Sequence, residues 1–195
     1  MNRTIKVLLI LNLLLLTGVL LRSSLASRSV AAQSSVKDNQ KLSRLMEEDQ
    51  TDRTPPTGKS IDWKLVAPRD EARLKRTKEL YSQGQLQTGN DFSNAALILQ
   101  HSDKAEDYLL AHELCIVAIS KGASGESLAA ASEDRFLMNI GRPQRFGTQY
   151  KSTGPNQPYR LYPVEPGVTD QVRRLLMVPS LAEAKAQEAK WNKNQ

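Results

Sequence analysis

The chain of 195 residues has one cysteine, two histidines and none of the common glycine-rich phosphate-binding motifs. Because Cys115 stands alone, an internal disulfide framework and a cysteine-cluster metal site are both excluded. Neither a Walker loop nor a dinucleotide fingerprint occurs, and no Gly-x-Ser-x-Gly nucleophile elbow is present. These absences remove the most easily recognised enzyme classes and imply no cofactor.

Acidic residues are missing from the beginning of the chain, and this explains most of its net charge of +6. Residues 1–32 hold four of the 27 lysines and arginines and none of the 21 acidic residues. The remaining 23 bases and 21 acids leave a charge of +2, which does not indicate a surface for a polyanion. We therefore expect no nucleic acid among the partners.

The acid-free segment has the composition of an export signal. Arg3 and Lys6 give it a basic start, a leucine-rich core follows over residues 7–21, and small residues lead to Ala32. The core of 15 residues is shorter than the roughly 20 apolar residues of a relaxed membrane span. We therefore expect residues 1–32 to be a cleaved signal peptide, and the alternative is an uncleaved signal anchor.

This prediction sets the location and the domain organisation of the chain. Residues 33–39 would be a flexible leader, and residues 40–195 would be a single domain outside the cytoplasm, either periplasmic or secreted. If the signal stays uncleaved, it would tether the domain to the inner membrane. The membrane would then be contacted through residues 7–21 only.

Helical periodicity governs the first part of the predicted domain. Leu42, Leu45 and Met46 recur at helical spacing, which predicts a helix over residues 40–53 that ends before two prolines. A second helix fits residues 68–83, after a connector whose Trp63 would pack on the core. The basic residues of this second helix are expected to form a face in contact with solvent. They are Arg73, Lys75, Arg76 and Lys78.

The second half of the chain combines two antiparallel helices with an irregular segment. Asp103 is expected to cap a helix that ends near Gly122, and a very short turn then forces an αα-hairpin with the next helix. Residues 146–164 predict a small β-hairpin, and a capping box at Ser180 and Glu183 opens a polar C-terminal helix. The predicted fold class is mainly α, with about five to seven helices.

Two Asp/Arg sets lie where the helical period calls for apolar residues. Asp49 and Arg53 continue the stripe of the first helix and stand four residues apart, so that they share a face. In the fifth helix Arg135 interrupts an apolar stripe, with Asp134 beside it. Because a buried charge needs a partner, we expect Asp49 to pair with Arg53 or Arg135, and Asp134 to pair with either arginine.

These sets allow two interpretations. They are either ion pairs that fix the register of the helices, or the braced wall of a polar pocket between the first and fifth helices. The neighbouring sequence supplies amides, a hydroxyl and permissive glycines that could hold a polar ligand. The candidate ligand-binding residues are Glu48, Asp49, Gln50, Arg53, His101, Asp134, Arg135, Gln144, Thr148 and Gln149.

Several separated strings resemble the signature of one bacterial family. They read EDQ-x-x-R at 48–53, AALILQH at 95–101, DR at 134–135 and GRPQRFGTQ at 141–149. In this order they are similar to a domain family of unknown function with an early DQ..R element, a mid-chain QH and a late DR…G.PQ.YGTQ signature. The resemblance extends over residues 42–181, supports the choice of candidate residues and implies no activity. Phe146 stands where that family usually has tyrosine.

The two histidines differ in their prospects as acid–base groups. His101 ends an apolar helix, where the helix dipole and a carboxylate would favour its charged form; a simple capping role is the alternative. His112 falls near an apolar face and is expected to pack in the core. No zincin motif is formed, because Ile116 occupies the position of the second histidine, and no metal site is predicted.

Three functions remain open on these grounds. The first is an exported helical domain that binds a polar small molecule or an envelope protein in the predicted pocket. The second is an envelope hydrolase in which the catalytic residues are His101 with Asp49 or Asp134. The third is a membrane-anchored interaction module with a purely structural role and no pocket.

Overall fold

The computed structural model describes residues 36–152, 154 and 157–193. The predicted export signal and the first residues of the predicted leader lie outside this part of the chain. The mainly helical fold is confirmed, with seven helices and one two-stranded antiparallel sheet in the described residues. The helices are α1 (Gln40–Arg53), α2 (Trp63–Ser82), α3 (Gly89–Leu99), α4 (Ala105–Ser120), α5 (Glu126–Asn139), α6 (Asp170–Leu175) and α7 (Leu181–Lys193), and the strands are β1 (Tyr150–Lys151) and β2 (Arg160–Leu161).

Helix α1 has the predicted bounds. The side chain of Asn39 caps it by accepting hydrogen bonds from the amides of Lys41 and Leu42. The backbone amide of Asn39 also donates to the carboxylate of Asp91 at 2.7 Å. The start of α1 is therefore fixed to the first turn of α3.

Over the part of the chain that the structure describes, no helix combines the length and apolar character that crossing a membrane requires.

Helix α2 begins five residues earlier than predicted. Asp62 caps it through the amide of Lys64, and Pro68 lies inside the helix rather than in its first turn. Proline removes only one intrahelical hydrogen bond near this end, where the first amides lack helical acceptors anyway. The prediction that Trp63 packs on the core was wrong, because Trp63 is the first residue of the helix and is 59% exposed.

The central αα-hairpin of α4 and α5 is confirmed. The predicted cap of α4 is not found, because the helix begins after Lys104 and no side chain caps it. Instead, the hydroxyl of Ser102 accepts a hydrogen bond from the amide of Lys104 and donates one to Asp107 at 2.6 Å. The turn between α3 and α4 is thus closed by serine rather than by Asp103.

The main hydrophobic core lies among the first five helices. Helix α4 packs on both α3 and α5, while α1 and α2 contact α3. The buried side chains are mostly aliphatic or small, which permits close helix approach. They are Leu42, Leu80, Leu86, Ala95, Ala96, Ile98, Leu99, Ala111, Leu114, Cys115 and Ala129.

The C-terminal part is organised around α5 and a small sheet. Strands β1 and β2 pair Tyr150 with Leu161, as the predicted hairpin requires. Helix α7 opens with the predicted capping box, in which Glu183 and Ser180 exchange hydrogen bonds. A second, smaller hydrophobic core joins α5 to the segments that follow it, because Ala130 of α5 packs with Phe146 and Val178.

The segment that follows α5 turns sharply at Gly147, whose φ angle is 82°. A Cβ atom there would make only ordinary contacts, at 3.7–3.9 Å, so that the backbone conformation and not crowding demands glycine. We expect Gly147→Ala to lower the free energy of unfolding by about 1–2 kcal/mol, measured by denaturant titration. Gly154→Ala is the control, because a Cβ atom there would lie 3.8 Å from the nearest atom and no left-handed φ is found at this position. Equal destabilisation of both variants would contradict the assignment.

Candidate functional site

Three carboxylates and two arginines form an ion-pair cluster between α1 and α2. Arg53 bridges two carboxylates, at 2.8 Å from Asp49 and 2.7 Å from Asp70. Arg73 bridges Asp70 at 2.6 Å and Asp52 at 2.8 Å, and its Nε lies 3.7 Å from Asp49. We call these five residues the ion-pair cluster. It fixes the two helices to each other through chains of charged hydrogen bonds.

Asp49 is the most deeply buried member of the cluster. It is 0% exposed, and its Oδ1 binds Arg53 while its Oδ2 accepts a hydrogen bond from the side-chain amide of Gln50 at 2.9 Å. The Nε2 atom of His101 lies 3.3 Å from Oδ2, within ion-pair distance. The cluster thereby reaches the C-terminal end of α3. Four predicted site residues, Asp49, Gln50, Arg53 and His101, are thus brought together.

The arginines lower the pKa values of two carboxylates of the cluster, Asp52 and Asp70. The hydrogen bond from Arg73 is the main cause that lowers the pKa of Asp52 below its ordinary 3.8. Burial raises the pKa of Asp70, but hydrogen bonds from Arg53 and Arg73 outweigh it, so that this pKa too lies below 3.8. Burial lowers the pKa of Arg73, and its bonds to Asp70 and Asp52 more than compensate. Each of these two carboxylates is thus paired with two guanidinium groups, Asp52 with those of Arg69 and Arg73 and Asp70 with those of Arg53 and Arg73.

Three of the five members of this cluster were not predicted from the sequence. Arg73 was expected on a solvent-facing surface and is 4% exposed, and its partners Asp52 and Asp70 were not candidates. The prediction was wrong because the predicted helix began at residue 68 and so did not include the first of the buried positions along α2. With the observed start, the buried positions 66, 73, 77 and 80 follow helical spacing and pass through Arg73.

Asp134 serves a different purpose from the predicted pairing with an arginine, which is not found. Its carboxylate accepts hydrogen bonds from the backbone amides of Arg145, Phe146 and Thr148 at 2.7–3.0 Å, and from the hydroxyl of Thr148 at 2.8 Å. The residue is 0% exposed. Amide donors satisfy a buried carboxylate as ion pairs do, so this carboxylate needs no arginine.

The polar side chains of the following loop are occupied by the loop itself. The Gln144 side chain donates to the carbonyls of Gln149 and Tyr162 and accepts from the amide of Gln149. The Thr148 hydroxyl accepts from Gln149 while it donates to Asp134. Three candidate ligand-binding residues, Gln144, Thr148 and Gln149, are therefore committed to folding the segment around Asp134.

Arg135 is the candidate that the structure leaves without a counterion. It forms no hydrogen bond or ion pair with any residue in the described ranges, and its Nε is buried without an acceptor. Burial lowers the pKa of Arg135, against a smaller opposing effect of Tyr108. The expected contact with Asp49 is not made.

A groove between α1 and α2 has the dimensions of a ligand site, with a volume of about 760 Å³. It differs in place from the pocket expected between the first and fifth helices, since α1 packs on α2 and α3 whereas α5 packs on α4. Of the candidate residues, only Glu48 lines it. Its other lining residues are Leu45, Glu47, Thr51, Asp52, Arg69, Ala72, Arg73 and Arg76.

The two other side chains of reactive type, His112 and Cys115, are engaged or buried within the fold. The Nδ1 atom of His112 lies 3.0 Å from the carbonyl oxygen of Ala129, across the αα-hairpin. Cys115 is fully buried, and burial raises the pKa of its thiol to about 12. Among the described side chains, no group of three or more His, Cys, Asp or Glu is arranged to hold a metal ion.

Comparisons with known proteins add no assignment to this geometry. No family model, curated protein or solved structure matches the chain. The family resemblance in the sequence therefore stays a prediction, and the function must be inferred from the site.

Two arginines on α2 share Asp52 and provide a matched test of the ion-pair cluster. Arg73→Met should lower the free energy of unfolding by about 3–5 kcal/mol, because it removes a buried cation that Asp52 and Asp70 share. Arg69→Met should change it by less than about 1 kcal/mol, because the Arg69 side chain is 50% exposed. Urea unfolding measures both, and a similar loss in the two variants would show that the cluster does not stabilise the fold.

The lowered pKa values of Asp52 and Asp70 predict acid sensitivity with a definite sign. Their stabilising contribution is complete above the unfolded-state pKa and is lost as the pH falls through the lower folded-state values. The difference in melting temperature between the wild-type protein and Asp70→Asn should therefore shrink as the pH falls below about 4. A difference that stays constant from pH 6 to pH 2 would contradict this, and Glu71→Gln, at an exposed position of α2, is the control.

Proposed function

We propose that this chain is an exported helical domain that binds a polar ligand or partner in the groove between α1 and α2. The export pattern of residues 1–32 supports a location outside the cytoplasm, periplasmic or secreted, with a tether to the inner membrane if the signal is retained. The observation that carries the binding function is a groove of about 760 Å³ whose wall includes two members of the ion-pair cluster.

The geometry of this wall favours binding because the charged groups are already held in place. Arg73 is fixed by Asp52 and Asp70 at once, and Asp52 is also bound by Arg69 at 2.6 Å. A ligand that contacts these groups need not order them, which removes part of the entropic cost of binding. The ion-pair cluster then both holds α1 and α2 together and contributes part of the wall of the groove.

The charges that line the groove favour a ligand with a positively charged group. Its three arginines are each engaged by a carboxylate, since Arg76 binds Glu79 at 2.7 Å. Glu47 and Glu48 form no ion pair with a residue in the described part of the chain. With Leu45 and Ala72 as apolar contacts, the groove suits an amine or guanidinium compound, or a basic segment of an envelope protein.

A hydrolase is the second candidate, because His101 lies 3.3 Å from Asp49. A histidine base hydrogen-bonded to a carboxylate is a recurring catalytic arrangement, although Nε2 of His101 is buried here and makes no hydrogen bond within the described residues. His101 does not line the groove, however, and Asp49 is also bound by Arg53. We therefore place this function after binding, and the purely structural module is the outcome if no ligand is found.

A bulky side chain in the groove tests the binding function without disturbing the ion-pair cluster. Ala72 is exposed and lines the groove, and Lys75 is an exposed residue one turn further on α2 that does not line it. Thermal-shift screening of the purified protein would use amino acids, basic and acidic short peptides, amino sugars, cell-wall fragments and nucleotides. Compounds that bind should raise the melting temperature of the wild-type protein and of Lys75→Trp.

In Ala72→Trp the shift should be lost, with a dissociation constant at least about tenfold weaker, because the indole occupies the groove. Basic compounds should be the strongest. Equal shifts in the two variants would place the ligand elsewhere, and no shift with any compound would favour the structural module.

A further inference from the structure

Arg135 is a partly buried charge that no residue in the described part of the chain neutralises. On its own helix, the residues three and four positions away are Ala131, Ser132, Met138 and Asn139, and none of them is acidic. Its Nε is buried and has no acceptor. A charge that is partly removed from water without a partner destabilises the folded state.

The carboxylates around Arg135 are engaged by other residues or lie too far away. Asp107 is bound by Lys78 and Ser102, both at 2.6 Å. Asp134, its neighbour on α5, binds the backbone amides of the 145–148 segment. Asp103 is exposed and makes no ion pair with Arg135 within 4.0 Å. The missing negative charge is therefore not supplied by these groups.

The position of Arg135 on α5 identifies the surface that it faces. Asn139, one turn further on the same face of α5, donates a hydrogen bond to the carbonyl of Asp103 at 3.0 Å. Tyr108 of α4 affects the pKa of Arg135, and its hydroxyl donates to the carbonyl of Ser102. Arg135 thus lies beside the turn between α3 and α4, and it is not part of the groove between α1 and α2.

We infer that Arg135 binds an anionic group, a phosphate or a carboxylate, at a second site between α5 and the turn that joins α3 to α4. The planar guanidinium offers a fork of N–H donors that matches the oxygens of either group. Binding would supply the counterion that the fold lacks. This site is independent of the proposed groove, so that either one can fail without the other.

The substitution Arg135→Met tests this inference, because it should raise the melting temperature and at the same time abolish the stabilisation by anions. Arg135→Met should raise the melting temperature of the purified protein by a few degrees, because a partly buried charge without a counterion is replaced by an apolar side chain of similar length. Sodium phosphate or sodium citrate should raise the melting temperature of the wild-type protein more than sodium chloride of equal ionic strength does. The same variant should lose this anion-specific increment.

Arg142→Met, with an exposed side chain three residues beyond the end of α5, controls for general charge effects and should keep the full increment. Arg135→Lys keeps the charge but not the fork, and should show a reduced increment; it decides the question if the methionine variant does not fold. A response to phosphate alone identifies a phosphate ligand, and a response to citrate alone a carboxylate. The inference is overturned if the wild-type protein shows no anion-specific increment, if the Arg135 variants that fold keep it in full, or if Arg135→Met folds but melts below the wild type.

Discussion

The arrangement of the N-terminal helices depends on the neutralisation of one fully buried carboxylate, that of Asp49. A charge in that position is tolerated only if partners replace the water that it has lost. Arg53 and Gln50 supply hydrogen bonds from the same helix, and His101 approaches from the end of α3. Arg73 of α2 then joins the same network through ion pairs with two further carboxylates. Three helices thereby acquire a fixed register that small and aliphatic core residues alone specify poorly.

The second buried carboxylate is satisfied in another way, and this difference divides the chain into two kinds of polar structure. Asp134 binds no arginine but gathers three backbone amides and a hydroxyl from one short segment. The segment needs this anchor because it lacks a helix or long strand to satisfy its own amides. Ion pairs join helices in the first half, and a carboxylate organises an irregular loop in the second.

Polar groups that the fold does not use are the places where function can be sought. The candidate loop residues, Gln144 among them, have their hydrogen bonds satisfied internally and offer little to a ligand. Glu47 and Glu48 in the groove keep unpaired charges, and so does Arg135 beside the turn from α3 to α4. These two surfaces carry charges of opposite sign. A ligand or partner with both kinds of group would find them on different parts of the domain.

The sequence by itself determined the helical class, the bounds of α1, the αα-hairpin, the β-hairpin and the capping box of α7. These features depend on residues that are close along the chain, so that period, turn length and caps report them directly. It also identified Asp49 and Arg53 as a pair, because four residues of helix separate them.

Only the tertiary structure decided which distant charges meet. Arg73 looked like a surface residue because nothing close along the chain shows that Asp52 of another helix will pack on it, and Asp134 looked like an arginine partner because its amide donors lie 11–14 residues further on. Counterions are chosen by proximity in space, and helix packing brings together side chains whose separation along the chain leaves no periodic trace.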